Sequence, residues 1–140
     1  MIHQKKLLKE SDTMGYVRVK ALIGSSKDNV KEVGLLVDTG SFYTILPPSL
    51  AKELGIMAQL TTELTLADKC IVKAGMSLAY MKLLDREGVL PVAILDAPEP
   101  LLGTTALEGL GVKVDPLTGK LEYSRSFGLA VLISSKFYPF

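Results

Sequence analysis

Asp38, in the run Leu35-Leu36-Val37-Asp38-Thr39-Gly40-Ser41, is a carboxylate at the end of an apolar stretch, a group that can take up or give a proton. Asp and Gly also close ordinary turns between apolar strands. A given tripeptide turns up by chance in a chain of this length with a probability of roughly a few per cent. Other chemistries are short of parts. His3 is the one histidine and Cys70 the one cysteine, so a Ser-His-Asp or Cys-His site is hard to build within the chain. An intrachain disulfide is impossible, and there is no cluster of zinc ligands. His3 reads as a solvated residue of the N-terminal stretch, and Cys70 as a small buried or half-buried apolar group.

The chain that must position Asp38 has 140 residues, of which 48% are hydrophobic. That is enough to bury a core without disulfides or metal. Sixteen basic residues against fifteen acidic ones leave a net charge of +1, which argues against a dedicated nucleic-acid binder. No apolar run approaches the ~18 residues of a membrane span, and the N-terminus lacks the long apolar core of a signal peptide. A cytoplasmic protein without membrane contact is the expectation.

The run from Tyr16 to Ile23 begins with period-2 alternation and predicts a half-buried strand. Residues 24–29 read as a turn, and residues 33–37 as a second strand running straight into Asp38. Residues 42–46 are β-rich until Pro47-Pro48 stops them, with Phe42 and Tyr43 read as strand packing. A short helix follows, Pro48 at its start and Ser49 available as a cap, ended by Gly55. Strands are predicted over residues 60–66, 70–72, 76–84 and 89–95, with turns at Asp68-Lys69 and Asp85-Arg86-Glu87-Gly88. A second short helix starts at Thr104 or Thr105, runs to Leu110 and is closed by Gly111; a terminal hairpin over residues 112–123 turns at 116–119. The fold class is mostly β, a closed barrel or folded-over sheet with one or two short helices. Residues 1–14 read as a tail, 15–124 as the folded domain and 125–140 as an apolar C-terminal extension, which includes residues 127–133 and the aromatic Phe137-Tyr138-Pro139-Phe140.

Asp38-Thr39-Gly40-Ser41 after three apolar residues, with Leu101-Leu102-Gly103 opening a short helix some sixty residues later, resembles the single-domain retropepsin-like aspartic proteases of the prokaryotic type. The resemblance covers approximately Tyr16 to Tyr123. In that family the two elements pack together as a ψ-shaped loop. It implies that Asp38 is one half of a catalytic pair. Two carboxylates about 3 Å apart cannot both ionise comfortably, so they share one proton and titrate as a unit. One partner takes a proton from water while the other donates to the scissile carbonyl. Neither metal nor organic cofactor is required.

One Asp-Thr-Gly is present, and no later copy completes a dyad in the same chain. The resemblance therefore implies a homodimer with Asp38 beside a two-fold axis, acting on a peptide or unfolded protein. It gives Thr39 a hydrogen bond across the dimer, Gly40 a close approach of substrate backbone, and Ser41 either a bond to the outer oxygen of Asp38 or a plain turn role. Leu102 and Gly103 complete the scaffold, with Thr44 and Thr105 as buried polar ties between the two ψ elements. A flap is expected over residues 62–79 with its tip at Ala67, Asp68 and Lys69, where the family often has glycines. Phe42 and Tyr43 stand where retroviral members carry acidic residues. The alternative is a retropepsin-like dimerisation or peptide-binding module of weak or no activity.

Overall fold

The computed structural model describes residues 16–126. The whole predicted tail with His3, residues 127–133 and the aromatic terminus lie outside the described residues.

The predicted alternation becomes β1 (Arg18–Ser26), whose Val19, Ala21 and Ile23 turn into the core at 8%, 3% and 0% exposure. It pairs antiparallel with β2 (Asn29–Val37). The turn expected over residues 24–29 shrinks to Lys27 and Asp28, because Ser26 pairs with Asn29. The Asn29 amide group also donates to Ser25 Oγ at 2.8 Å. Polar residues that read as loop are thus satisfied at the end of the ladder.

β3 (Thr44–Leu46) leads into α1 (Pro48–Glu53). Pro47 stands at its N-cap with no side-chain cap, so Ser49 lies inside the helix and does not cap it. Next come β4 (Leu60–Thr65), β5 (Ile71–Leu83) and β6 (Arg86–Ile94). The two strands predicted between residues 70 and 84 are one. Gly75, between the two predicted segments, is a point of close approach within the strand: a Cβ there would stand 2.8 Å from the Cβ of Ala58. The turn predicted at residues 85–88 sits earlier, at Leu84 and Asp85, so that Arg86 pairs with Leu83 inside the ladder.

β7 (Leu101–Leu102) and α2 (Thr104–Leu110) follow. Gly111 ends the helix in the left-handed region, φ 67°. A terminal hairpin of β8 (Val112–Val114) and β9 (Leu121–Tyr123) completes the described chain.

The main sheet runs β1-β2-β7-β3-β6-β5-β4, and β1 pairs again with β5. Six strands therefore close on themselves, while β4 hangs outside on β5. The fold is mostly β, as the sequence predicts, with two short helices among the described residues. Ile23, Leu35, Leu46, Met81, Leu83, Val92, Leu102 and Leu110 fill the centre at 0–1% exposure. Each stabilises the fold by roughly 1.5–3 kcal/mol. Among the described residues no helix is long and apolar enough to cross a membrane.

Arg86 is a buried charge that its sequence neighbourhood gave no reason to expect. Its guanidinium donates to the carbonyls of Leu110 and Gly111, both at 3.0 Å, and lies 4.2 Å from the Tyr123 ring centroid. A cation on the last carbonyls of a helix is favourable. The Tyr123 hydroxyl in turn hydrogen-bonds the Asp85 carboxylate. This bond holds the carboxyl below its ordinary range and pushes the tyrosine up. The cluster fixes α2 and the terminal hairpin to the β5–β6 turn.

Candidate active site

Strand β7 is two residues long, yet the site is built around it. Leu36 and Val37 pair with it in parallel, and Ile45 pairs with Leu101 from the other side. The chain between β2 and β3, residues 38–43, must therefore loop around β7. Four main-chain bonds hold the crossing. Leu36 N donates to Pro100 O and Asp38 N to Leu102 O, each at 3.0 Å. Thr104 N donates to Ser41 O at 2.8 Å and Thr105 N to Phe42 O at 2.9 Å. Sequence-distant residues supply every partner, so the loop's shape follows from the fold and not from local propensity.

Gly103 sits where the two segments cross. A Cβ on it would meet the carbonyl carbon and oxygen of Tyr43 at 2.4 Å, so no larger residue fits. Its amide donates to Thr44 Oγ1 at 3.1 Å, and Thr44 is fully buried. Thr44 thus ties the two elements as expected. Thr105 does so through its main chain alone, since its buried hydroxyl has no hydrogen-bond partner among the described residues.

Asp38 is half-buried at the start of the loop, and its Oδ1 accepts from Gly40 N at 3.0 Å. Ser41 N donates to the main-chain oxygen of Asp38 at 3.0 Å. The Ser41 hydroxyl donates to Tyr43 O at 2.6 Å, so it takes the turn role and its proton is not directed to Asp38. Thr39 and Gly40 are exposed.

A groove of 360 Å³ opens beside Asp38. One wall is Asp38, Gly40, Ser41, Phe42, Tyr43 and Ile45; the other is Leu64, Thr65, Leu66 and Ala67; Leu95 and Leu101 line it as well. The structure therefore brings the predicted flap residue Ala67 to the same groove as Asp38. Asp68 and Lys69 form the tip beyond it. Lys69 adopts φ 69°, the left-handed conformation that a glycine takes without strain. Asp68 Oδ1 accepts from Cys70 N at 3.0 Å, and that bond, with one from the thiol, holds the carboxyl below its ordinary value. The same partnership pushes the Cys70 thiol up. Cys70 is exposed at this tip, contrary to the buried or half-buried position expected of it.

Phe42 and Tyr43 also depart from expectation. They precede β3 and do not pack within a strand; Phe42 is 63% exposed, and both line the groove. Apolar character suggested packing, but the loop around β7 turns both residues to the groove. No pattern in the sequence carried that information.

The family described as aspartyl protease matches this chain over residues 19–117. The chain belongs to that family, and the matched span lies within the region of resemblance read from the sequence. Among solved structures, the EIAV protease complexed with the inhibitor HBY-793 is similar with a TM-score of 0.58 at 20% identity, over 71% of this chain and 92% of that one. The retropepsin-like fold is thereby established. No curated protein matches the chain.

Proposed function

We propose that two copies of this chain form an aspartic endopeptidase, with Asp38 of each subunit meeting at a two-fold axis. The observation that carries this reading is the position of Asp38: at the mouth of a loop locked around β7, its carboxylate oriented by Gly40 N, on a groove overhung by the β4–β5 hairpin. Such a carboxylate is pre-positioned, and pre-positioning is what acid–base catalysis needs from a scaffold.

The paired carboxylates hold one proton between them. The ionised member takes a proton from a water molecule as that water attacks the scissile carbonyl. The protonated member gives its proton to the carbonyl oxygen. One member then gives a proton to the leaving nitrogen while the other takes one from a hydroxyl of the tetrahedral intermediate, so that the C–N bond breaks and the pair again holds one proton. The exposed Thr39 hydroxyl bonds across the axis, and Gly40 leaves room for substrate backbone. Leu102 and Gly103 hold the loop from behind, and Ala67, Asp68 and Lys69 close over the substrate. The catalytic unit is residues 15–124, and its setting is cytoplasmic.

Digestion of unfolded casein from acid to neutral pH tests the reading, with Asp38→Asn and pepstatin as controls. Cleavage is expected to fall at least about a hundredfold in the variant, the scale of one lost acid–base group, while its circular dichroism stays unchanged. A dimeric wild type that binds peptide tightly but cleaves nothing at any pH would make the chain a binding module instead.

A further inference from the structure

The groove beside Asp38 carries a feature that proton transfer does not use. Phe42 is 63% exposed, a large apolar side chain left in water at the edge of the groove. Its ring meets Tyr43 edge-to-face, with centroids 5.0 Å apart and planes at 84°. The backbone beneath is fixed on both residues: Thr105 N donates to the carbonyl of Phe42 at 2.9 Å, and the Ser41 hydroxyl to that of Tyr43 at 2.6 Å. Other exposed apolar residues, such as Met57, Leu78 and Leu117, do not line this groove.

We propose that Phe42, braced on Tyr43, is a specificity-determining shelf that selects polypeptide segments carrying an aromatic side chain at one fixed position near the bond presented to Asp38. The proposal rests on the peptidase reading for its substrate, and on the groove alone for its chemistry. A ring already held by its neighbour loses little freedom when a second ring packs on it, so most of the contact appears as affinity. Edge-to-face and offset pairs gain beyond the area they bury. Asp38 is the one charged side chain among the described residues lining the groove. A charged group on the substrate held at Phe42, away from Asp38, would be desolvated there without a partner, which is costly. Segments rich in aromatic and aliphatic residues are those a folded protein buries, so unfolded chains present them and native ones do not.

The test is a digest of a peptide library by wild type and by Phe42→Ala, followed by paired peptides that differ only as Tyr or Leu at the selected position. Wild type is expected to enrich aromatic residues at one position and to prefer the Tyr peptide about fivefold, the size of one aromatic pair. That ratio should fall to about one in Phe42→Ala, carried by KM with kcat nearly constant. An unchanged profile in Phe42→Ala, or enrichment of Lys and Arg at that position, overturns the proposal. Because Phe42 is mostly exposed, the variant should melt with the parent; Phe42→Leu, which keeps the bulk but not the ring, should behave as the alanine variant does. Binding of the same pair to Asp38→Asn separates the two readings. A Tyr preference there that vanishes with Phe42→Ala supports the shelf even if no cleavage is found, whereas cleavage without the preference sinks the shelf and leaves the peptidase standing.

Discussion

Around Asp38 three local hydrogen bonds shape the turn, but main-chain bonds to residues far away in sequence anchor it, whereas the β4–β5 hairpin across the groove is held mainly by its own ladder. The loop of residues 38–43 is stitched to Leu102, Thr104 and Thr105, and Leu36 just before it to Pro100. The hairpin pairs residue by residue from Leu60↔Met76 to Thr65↔Ile71 and then turns on two local bonds, Leu66 N to Cys70 O and Lys69 N to Leu66 O. Its side chains match this isolation: Leu60 and Ile71 are 58% and 64% exposed, while Leu102 and Thr44 behind the loop are at 0%. The two regions bound one groove with opposite mechanical character. Elements with few buried contacts open at low free-energy cost, so on the proposed reading motion over the site is expected of the hairpin and registry of the loop.

Gly103→Ala tests the rigid side most severely. The added methyl collides with main chain, which cannot rotate away as a side-chain end can, and a loss of about 3 kcal/mol is expected in urea unfolding. Stability equal to the parent would show that the crossing is looser than its contacts imply. Thr44→Val removes the acceptor for Gly103 N while keeping the volume, leaving a buried donor unpaired. The expected cost is about 1–3 kcal/mol, and a variant that loses nothing would mean that the main-chain bonds alone hold the loop.

The smallest effect belongs to the hairpin tip and depends on pH. Hydrogen bonds from Cys70 lower the Asp68 carboxyl below its ordinary 3.8. A depressed carboxyl contributes stability above its ordinary value and loses it as pH falls through the lowered one. Amide exchange at Cys70, corrected for its intrinsic pH dependence, should therefore gain protection from this bond at neutral pH and lose it below about pH 3.8. Asp68→Ala should remove that dependence without moving the global melting temperature. A global shift would contradict the hairpin's mechanical independence.

The same division explains what could be read from the chain. Helix α2 was legible to within one residue at its start and exact at its end, because it is short, follows a tight glycine and ends at Gly111, which a left-handed cap favours. The motif at Asp38 and its partner element at Leu101-Leu102-Gly103 were legible as types and spacing. Their interlocking came from resemblance, since no periodicity encodes a two-residue strand threaded between β2 and β3. The ladder ends misled: serine, asparagine and glutamate look like turn residues, yet Ser25, Ser26, Asn29 and Glu87 all sit in strands. Arg86 was hidden for another reason. Its partners, the carbonyls of Leu110 and Gly111, lie 24 and 25 residues away and are main chain, so no pairing of charges announced it.

The threading of β7 also sets a timetable. Thr44 waits for a partner fifty-nine residues downstream, and Asp38 for Leu102. A chain emerging from the ribosome exposes its Asp-Thr-Gly segment well before the strand that shapes it exists outside the tunnel. Closure over so long a separation costs more chain entropy than a local turn does. The cradle of the carboxylate cannot be complete until Leu102 and Gly103 have been made, so on the proposed peptidase reading a half-made chain carries the motif without its support.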